Sequence, residues 1–429
     1  MRYKEATQFL FEQLPMYQRQ GKAAYKANLH TTLLLDEYFE HPHKHYKTIH
    51  IAGTNGKGSV SHMLASILQQ AGYKVGLYTS PHLKDFRERI KVDGKPIPEN
   101  CVTRFVEEHR NIINKLEPSF FEMTAAMAFD YFKQEKVDVA VIEVGMGGRL
   151  DSTNIISPDL SVITNISLDH TAFLGDTIKQ IAAEKGGIIK PNTPVVIGER
   201  DTETDEVFRS IATERNALLI DATSTYQIPF SAFSADEKQI VQVYSNGEMA
   251  YRDLKVSLMG WYQKKNIVTA LTACKTLVEL GYKIDNTDIY KGLEEVQTAT
   301  GLLGRWQTLG HNPRVVCDTG HNEAGIKAVI EQIKNTPYKN LHIVWGMVND
   351  KDTDTILALL PTEATYYFTR ASIPRSLDEK LLLQKAEKYN LSGSHYPNVK
   401  TAIKEARKIS TPNDLIFIGG STFIVADAL

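Results

Sequence analysis

Apolar residues follow two kinds of pattern along this chain. Short continuous apolar runs, rich in β-branched residues, alternate with longer stretches in which apolar residues recur at helical spacing. Continuous runs predict strands buried on both faces, as in a parallel sheet covered by helices. In the first half of the chain these predicted strands begin at Thr48 and lie at 75–79, 137–144, 160–166 and 195–198. The pattern therefore predicts an α/β fold.

Residues 229–258 depart from this pattern. Apolar and polar residues are interleaved there around Asn246 and Gly247, a dipeptide typical of a tight turn between two strands. We therefore expect a short antiparallel excursion from the main sheet. A long helix is predicted after it, at 262–281.

A second alternation of strands and helices begins near residue 300. Its predicted strands are 314–318, 341–345, 365–369 and 414–418, with helices between them as at 323–334 and 377–388. This order is typical of a doubly wound unit. We predict a P-loop-containing parallel-sheet N-terminal domain over 1–297 and a smaller doubly wound, Rossmann-like C-terminal domain over 298–429. The linker is predicted at 298–301.

The first predicted strand leads into a glycine-rich turn, and a stretch with helical spacing follows at 60–70. The order of strand, glycine loop and helix is the arrangement that binds a nucleotide phosphate, because backbone N–H groups and the helix N-terminus face the anion. Lys57 can neutralise phosphate charge, and Thr54 or Ser59 can offer a hydroxyl to phosphate or metal. The loop residues are Gly53, Thr54, Asn55, Gly56, Lys57, Gly58 and Ser59.

The loop departs from the common Walker A pattern. Ile51 stands where that pattern has its first glycine, and Gly58 stands where it has Ser or Thr after the lysine. The alternative interpretation is a tight glycine turn that binds no ligand. That interpretation does not explain Lys57, because a lysine between glycines at the end of a strand contributes little to packing. We expect anion binding without the loop geometry of a standard GTPase or motor ATPase.

Polar residues also follow other predicted strands, where open α/β sheets bind their ligands. Glu143 ends a buried strand beside the phosphate loop, so it is either a Mg²⁺ anchor or a buried glutamate held by hydrogen bonds. Ser80 precedes Pro81 after another strand, which taken alone favours an ordinary turn. Asp169 and His170 form an acidic and imidazole pair, and a histidine satisfied within the core is the alternative for His170.

Two further segments are ambiguous when taken alone. Lys185 follows a predicted helix and in isolation would be an ordinary surface lysine. Residues 318–322, which begin with Asp318 and contain His321, lie past a predicted strand. They form either a polar cluster facing a cleft or a turn that leads into a helix.

Composition narrows the class of partner. The 429-residue chain is 42% hydrophobic, enough for sizeable cores, and its net charge of −2 gives no reason to expect a nucleic-acid or anionic-membrane partner. The sequence shows neither the apolar core of a signal peptide nor an apolar run of membrane-spanning length. Cys101, Cys274 and Cys317 are scattered and odd in number, which fits a reducing cytoplasm better than a disulfide framework.

Taken together, these motifs resemble those of the folylpolyglutamate synthase/dihydrofolate synthase family, ATP-dependent amide ligases of the Mur ligase superfamily. The matching segments occur in the family's order and span roughly residues 28–325. They are 53–59, 79–83, 88–90, 121–122, 143–151, 168–170, 184–188, Asn266, 304–305 and 318–322.

The resemblance implies a reaction in which ATP phosphorylates a substrate carboxylate to an acyl phosphate. The amine of L-glutamate then attacks, and a tetrahedral intermediate loses phosphate to leave an amide. The implied acceptors are dihydropteroate and reduced folates. The catalyst mainly positions groups and neutralises charge. The resemblance also implies Mg²⁺, at two sites, stimulation by K⁺ and closure of the two domains. The cysteine usage predicts a cytoplasmic protein, and nothing in the sequence demands more than a monomer.

The resemblance also implies a role for each matching residue. Those implied to bind ATP are Thr54, Asn55, Gly56, Lys57, Gly58, Ser59, Asn266, Arg305 and Asp318. Ser80, Glu143 and His170 are implied metal ligands. Lys57, Lys185 and His321 are implied catalytic residues, with Lys185 carbamylated. The implied residues of the pterin-bearing substrate site are His82, Arg89, Phe121, Leu150, Asp151 and Ser152.

Two rival functions are weighed against this one. A cell-wall Mur ligase would make the same bond on a uridine-nucleotide sugar, but we expect a separate domain before its phosphate loop, and only 52 residues precede Gly53 here. A nucleotide-dependent switch would need a guanine-reading Asn-Lys-x-Asp motif, which the sequence lacks. It would also leave the second α/β unit without a purpose.

Overall fold

The computed structural model describes residues 1–15, 28–349 and 352–429. Its contacts divide the chain into two compact units, each of which combines two segments of sequence. The first unit is Met1–Leu258 with Gln263–Leu302, and the second is Met259–Tyr262 with Leu303–Leu429. The predicted linker at 298–301 lies in and just after the short helix Val296–Thr300.

An eight-stranded sheet forms the centre of the first unit, in the order β4-β3-β2-β5-β1-β6-β7-β8. The six strands β2, β5, β1, β6, β7 and β8 run parallel to one another. Strands β3 and β4 extend the sheet beyond β2 through antiparallel pairing. This confirms the predicted parallel sheet. The strands are β1 Lys47–Ala52, β2 Val75–Tyr78, β3 Ile90–Val92, β4 Lys95–Pro96, β5 Val139–Glu143, β6 Leu160–Ile163, β7 Val195–Ile197 and β8 Leu219–Asp221.

Helices cover both faces of this sheet, which explains the continuous apolar runs. Val139 and Val141 of β5 belong to one core cluster, whereas Ala140 and Ile142 belong to a second cluster on the other face. The α-helices of the unit are Tyr3–Gln13, His30–Tyr38, Lys57–Gln70, Glu99–Glu108, Arg110–Leu116, Phe120–Glu135, Thr171–Leu174, Ile178–Gly186, Thr202–Glu214, Ala222–Thr225, Gln263–Glu279, Asn286–Glu294 and Val296–Thr300. Short 3₁₀ helices lie at Pro42–His45, Phe86–Arg89 and Ser152–Ile155.

The predicted antiparallel excursion is a separate three-stranded sheet. It comprises β9 Gln227–Phe233, β10 Gln239–Ser245 and β11 Glu248–Val256. Asn246 and Gly247 join the last two strands with φ angles of +52° and +83°, the left-handed conformation that a two-residue hairpin turn requires. Because the side chains of Val241, Leu254 and Val256 are fully buried, this sheet contributes to the first unit's core.

The second unit contains a six-stranded sheet in the order β12-β13-β17-β14-β15-β16, parallel except for the β12–β13 pair. Its strands are β12 Gln307–His311, β13 Arg314–Cys317, β14 Leu341–Trp345, β15 Thr365–Phe368, β16 Gly393–His395 and β17 Leu415–Gly419. Its helices are Glu323–Lys334, Thr353–Leu357, Glu379–Glu387, Val399–Ile409 and Thr422–Ala428. The predicted α/β character of this unit is confirmed. Within the described ranges, no helix has the length and apolar content needed to cross a bilayer.

A close helix contact in the first unit generates a stability prediction. Gly292 packs so tightly on the helix Lys57–Gln70 that an added Cβ would lie 2.5 Å from the Cα of Ile67. Helix propensity alone would make Gly292→Ala stabilising by about 1 kcal/mol. We expect overpacking to dominate and to lower the free energy of unfolding by about 1–3 kcal/mol.

Denaturant unfolding of both proteins measures this change. Lys291→Ala, at the exposed neighbouring position of the same helix, is the matched control and should stay close to wild type. A Gly292→Ala protein at least as stable as wild type would contradict the packing argument.

Candidate active site

Four neighbouring parallel strands place the candidate residues at one edge of the first sheet. In the order β2, β5, β1, β6, their carboxyl ends lie side by side, with Tyr78 opposite Ile142 and Ala52 opposite Ile163. Ser80, Glu143, the phosphate loop and residues 164–170 follow or end these strands. Parallel pairing is thus the reason that residues distant in sequence meet.

The phosphate loop has the backbone shape that its glycines allow. Gly53 and Gly56 have φ angles of +143° and +86°, and the helix begins at Lys57. A Cβ on Gly53 would lie 1.9 Å from Oγ1 of Thr164, and one on Gly56 would lie 2.2 Å from Oδ1 of Asn266. Both positions therefore require glycine for conformation and for space.

Residues after β6 hold the loop in place. The backbone N–H of Thr54 donates to the carbonyl of Asn165 at 2.8 Å, and that of Asn55 donates to Oδ1 of Asn165 at 2.9 Å. Oγ1 of Thr164 donates to the carbonyl of Asn55 at 2.6 Å. Sequence reasoning missed these residues because it placed 164–166 within a strand. In fact β6 ends at Ile163, since Asn165 bonds the loop instead of continuing the sheet.

Two lysines converge on one backbone carbonyl of the loop. Nζ of Lys57 lies 2.9 Å from the carbonyl oxygen of Gly53, and Nζ of Lys185 lies 2.8 Å from the same oxygen. Lys185 is only 4% exposed. Burial, followed by the charge of Lys57, lowers the pKa of Lys185 to about 7. The amine of Lys185 is therefore substantially neutral at physiological pH, unlike that of a surface lysine.

Glu143 and Ser80 lie side by side at the ends of two paired strands. The carboxylate of Glu143 is buried, and its Oε2 accepts a hydrogen bond from the backbone N–H of Ser80 at 3.3 Å. Carboxylate and hydroxyl oxygens are the donors that Mg²⁺ prefers, so this pair fits such an ion. His170 has a φ of +50°, and its backbone N–H donates to Oδ1 of Asp169 at 2.9 Å. Its imidazole remains partly exposed.

The predicted pterin-site residues include a buried arginine and several aromatic rings. Nε of Arg89 donates to Nδ1 of His82 at 2.7 Å, and its guanidinium lies 5.1 Å from the centroid of the Phe120 ring. Burial, followed by the charge of Arg89, lowers the pKa of His82 to about 3, so this imidazole is a neutral acceptor. Phe121 packs against Gly145, where an added Cβ would lie 2.4 Å from the phenyl ring.

Asp151 has a structural function in the loop that follows β5. Its carboxylate accepts hydrogen bonds from the backbone N–H of Met146 at 2.9 Å and from that of Thr153 at 3.0 Å. It also accepts one from the hydroxyl of Thr153. These bonds close the loop and begin the 3₁₀ helix at Ser152. Leu150 and Ser152 flank Asp151, so their positions depend on this carboxylate.

Asn266 lies against the phosphate loop, as its predicted role in binding ATP requires. Nδ2 of Asn266 donates to Oε1 of Gln263 at 2.7 Å, and Nε2 of Gln263 lies 3.3 Å from Oγ of Ser59. Gln263 is fully buried, and sequence reasoning did not select it. Its position on the first turn of the helix Gln263–Glu279, three residues before Asn266, is the signal that could have identified it.

In the second unit, Asp318 follows β13 and is held by three donors. These are the hydroxyl of Tyr262, the backbone N–H of Trp306 and the backbone N–H of Gly320. Tyr262 belongs to the short segment Met259–Tyr262, whose place in the second unit the sequence did not predict.

Arg305 and His321 both contact Thr319, the residue that follows Asp318. Nη1 of Arg305 donates to Oγ1 of Thr319, and Nδ1 of His321 lies 3.0 Å from the carbonyl oxygen of Thr319. The structure thus brings Arg305, Asp318 and His321 together in the second unit, around one turn at a strand end.

Two family models match the chain. The Mur ligase middle domain matches residues 51–274, and the Mur ligase glutamate ligase domain matches residues 304–422. The dihydrofolate synthase/folylpolyglutamate synthase of Bacillus subtilis is 34% identical over 403 residues, with 90% of each chain covered. The "Probable bifunctional folylpolyglutamate synthase/dihydropteroate synthase" of Haloferax volcanii is 32% identical over this whole chain, which spans about half of that relative's length.

Solved structures show the same fold. Escherichia coli FolC in complex with DHPP and ADP has a TM-score of 0.87 at 29% identity, covering 100% of this chain and 97% of that chain. A bifunctional folylpolyglutamate synthase/dihydrofolate synthase with Mn, AMPPNP and L-glutamate bound has a TM-score of 0.83 at 26% identity, with 100% and 97% covered. The chain belongs to the folylpolyglutamate synthase/dihydrofolate synthase family of Mur ligases, which are ATP-dependent carboxylate–amine ligases.

Proposed function

We propose that this chain uses ATP to add L-glutamate to dihydropteroate, to folate polyglutamates or to both, through an acyl-phosphate intermediate. The observation that carries the proposal is the convergence of Lys57 and Lys185 on the carbonyl of Gly53, at 2.9 and 2.8 Å. These two amine side chains, of which that of Lys57 is cationic, lie at a phosphate loop, one strand away from the buried carboxylate of Glu143. Such a site suits transfer of a phosphoryl group to a carboxylate.

The chemistry requires charge neutralisation more than covalent catalysis. A carboxylate oxygen attacks the γ-phosphorus, ADP leaves, and the acyl phosphate forms. The glutamate nitrogen then attacks the acyl carbon and loses a proton, and inorganic phosphate departs. Lys57 and the N-terminus of the helix Lys57–Gln70 would balance the negative charge that develops on the phosphates.

A divalent metal and a nucleotide are part of this proposal. The solved relatives bound ADP, or AMPPNP with Mn, which supports a nucleotide and a divalent cation for this chain. Ser80 and Glu143 would hold Mg²⁺, and His170 would serve a second, more tolerant site. When bound, the ion would add positive charge beside the transferred phosphoryl group. Stimulation by K⁺ stays a prediction.

The acceptor is proposed to carry a pterin. The partly exposed rings of His82 and Phe121 would contact a flat heterocycle, and the buried guanidinium of Arg89, which lies over Phe120, holds the His82 ring by a hydrogen bond. The E. coli neighbour bound DHPP, and the Haloferax relative is named for dihydropteroate synthase as well, an activity whose product would be an acceptor here. We expect small-molecule partners only, and a cytoplasmic monomer.

The proposal is tested by ATP-dependent incorporation of labelled glutamate, with dihydropteroate and tetrahydrofolate offered separately. Incorporation with either acceptor, together with release of ADP and phosphate, supports the proposed function. A muramyl substrate serves as the control. Incorporation with that substrate alone would instead make the chain a cell-wall ligase.

Lys57→Ala should abolish ligation while the protein stays folded. Removing a charge-assisted contact with phosphate costs on the order of 2–4 kcal/mol of transition-state stabilisation, or roughly 30- to 900-fold in rate. The rate of ligation measures the loss, and thermal unfolding confirms folding. Lys57→Met, which keeps the aliphatic stem, should behave alike, and Lys115→Ala at an exposed position should not. Near-normal turnover in both Lys57 variants would refute the phosphate-loop assignment.

Glu143→Ala and His170→Ala should impair Mg²⁺-dependent turnover more than they impair ATP binding. The reason is that both side chains are proposed to act through the metal, whereas the loop and Lys57 bind the nucleotide. Mg²⁺ titrations of the rate, together with calorimetry of nucleotide binding, separate the two effects. Glu135→Ala, which removes a half-exposed carboxylate paired with Lys74 away from the phosphate loop, is the control. Unchanged Mg²⁺ dependence in both variants would remove these residues from the metal site.

Lys185 should be carbamylated in the active enzyme. Its lowered pKa of about 7 means that more than half of the amine is neutral above that pH, the form that reacts with CO₂. Activity dependent on the carbamate should therefore fall as pH drops below about 7. Lys185→Ala should be nearly inactive, and a short carboxylic acid in solution should restore part of the rate.

NMR of protein exposed to ¹³C-labelled CO₂ would detect the modification directly. Lys179→Ala, at an exposed position on the same helix, is the matched control and should keep wild-type activity. Full activity in Lys185→Ala, or a bare ammonium in an ATP–Mg²⁺ complex, would overturn the prediction.

A further inference from the structure

A carboxylate and two imidazoles meet at the end of the helix His30–Tyr38, outside the candidate active site. Nδ1 of His41 lies 2.6 Å from Oδ2 of Asp36, and Nε2 of His43 lies 3.3 Å from Oδ1 of the same carboxylate. One ligand atom from each of the three side chains lies within 4.8 Å of the other two. The cluster thus offers two nitrogen donors and one oxygen donor in a small volume.

The buried carboxylate is incompletely satisfied. Asp36 is only 8% exposed, and Nε2 of His43 lies 3.3 Å from its Oδ1, but no donor among the described residues meets this oxygen with hydrogen-bond geometry. His43 is buried too, so neither group can turn to water without rearrangement. A buried carboxylate oxygen without a donor is costly, and a bound cation would remove that cost. The distance of 3.3 Å between Oδ1 of Asp36 and Nε2 of His43 is that expected of two ligands of one metal ion.

The backbone brings the three groups together. Glu40 and His41 both have left-handed conformations, with φ angles of +56° and +50°, and the backbone N–H of His41 donates to the carbonyl of Asp36 at 2.8 Å. The chain therefore turns back so that His41 and His43 both face the carboxylate. Side chains only five and seven positions from Asp36 become its neighbours in this way.

We propose that Asp36, His41 and His43 bind a zinc-like transition-metal ion. Two imidazoles and a carboxylate favour Zn²⁺ or Co²⁺ over Mg²⁺, which prefers oxygen ligands. With bonds of about 2.0–2.2 Å, tetrahedral ligands lie about 3.3–3.5 Å apart, which matches the separation of His43 and Asp36. His41, whose side chain is 45% exposed, would exchange its hydrogen bond for a metal bond, and water would complete the coordination.

This site is distinct from the proposed catalytic metal site. The cluster precedes the first residue of β1, whereas the phosphate loop follows the last residue of the same strand. A six-residue strand separates its two ends by about 16 Å. The ion would join the end of the helix His30–Tyr38 to the 3₁₀ helix Pro42–His45 and so hold the segment that enters β1.

Co²⁺ titration in the presence of excess Mg²⁺ and ADP tests the proposal on the intact chain. Mg²⁺ occupies oxygen-rich sites, and the His170→Ala variant lacks the imidazole proposed for the second catalytic site, so visible absorption of four-coordinate Co²⁺ that persists in this variant reports the Asp36 cluster. We expect one Co²⁺ per chain, displaced by Zn²⁺, and a rise in Tm with Zn²⁺ concentration. His43→Gln and His41→Gln should each weaken binding by at least about tenfold.

His45→Gln is the matched control, since His45 lies in the same segment but is exposed and outside the cluster. It should bind Co²⁺ like wild type. If His43→Gln does not fold, the His41→Gln variant still tests the proposal, because the His41 side chain is 45% exposed and its replacement should leave the fold intact. Absence of the visible band, or equal loss in His45→Gln and His41→Gln, would overturn the proposal and leave the cluster as an ion-pair network alone.

Discussion

The parallel pairing of β1 with β5 and β6 is the constraint on which the candidate site depends. It places the glycine loop, the carboxylate of Glu143 and the segment after Ile163 at one edge of a sheet. The side chain of Asn165 then holds the loop amide of Asn55, so that the loop keeps its shape before any phosphate arrives. Preorganisation of this kind is what catalysis by positioning and charge neutralisation requires.

The close approach of two lysine side chains determines the electrostatics of the same edge of the sheet. Lys185 is buried beside Lys57, and both share the carbonyl of Gly53. Burial, and after it repulsion by the ammonium group of Lys57, lowers the pKa of Lys185 to about 7. Conversion of the Lys185 amine to a carbamate would place a negative charge beside Lys57 and so replace repulsion with attraction. The proposed modification would therefore relieve the electrostatic cost of two adjacent ammonium groups.

The two ends of β1 carry different donor sets. At its carboxyl end the groups proposed to meet a metal are mainly oxygens, as in Ser80 and Glu143. At its amino end Asp36 is joined by the imidazoles of His41 and His43. Since ligand type selects the metal, the two ends would bind different ions without competing. One ion would take part in the reaction, and the other would hold the strand's entry segment.

The sequence by itself predicted the central strands of both parallel sheets, the phosphate loop and the family, because continuous apolar runs and glycine spacing are local signals. It did not predict the short strands at or next to the sheet edges, β3, β4, β8, β12 and β16, which lack long continuous apolar runs. It could not determine that β6 ends at Ile163, since that end depends on hydrogen bonds between Asn165 and a loop over a hundred residues away. It described Lys185 as a surface lysine when taken alone, and only the packed helix buries it. Nor did it join Asp36 to His43, which requires a left-handed turn. Tertiary structure decided these features because burial and pairing of polar groups depend on partners that are remote or reached through backbone geometry.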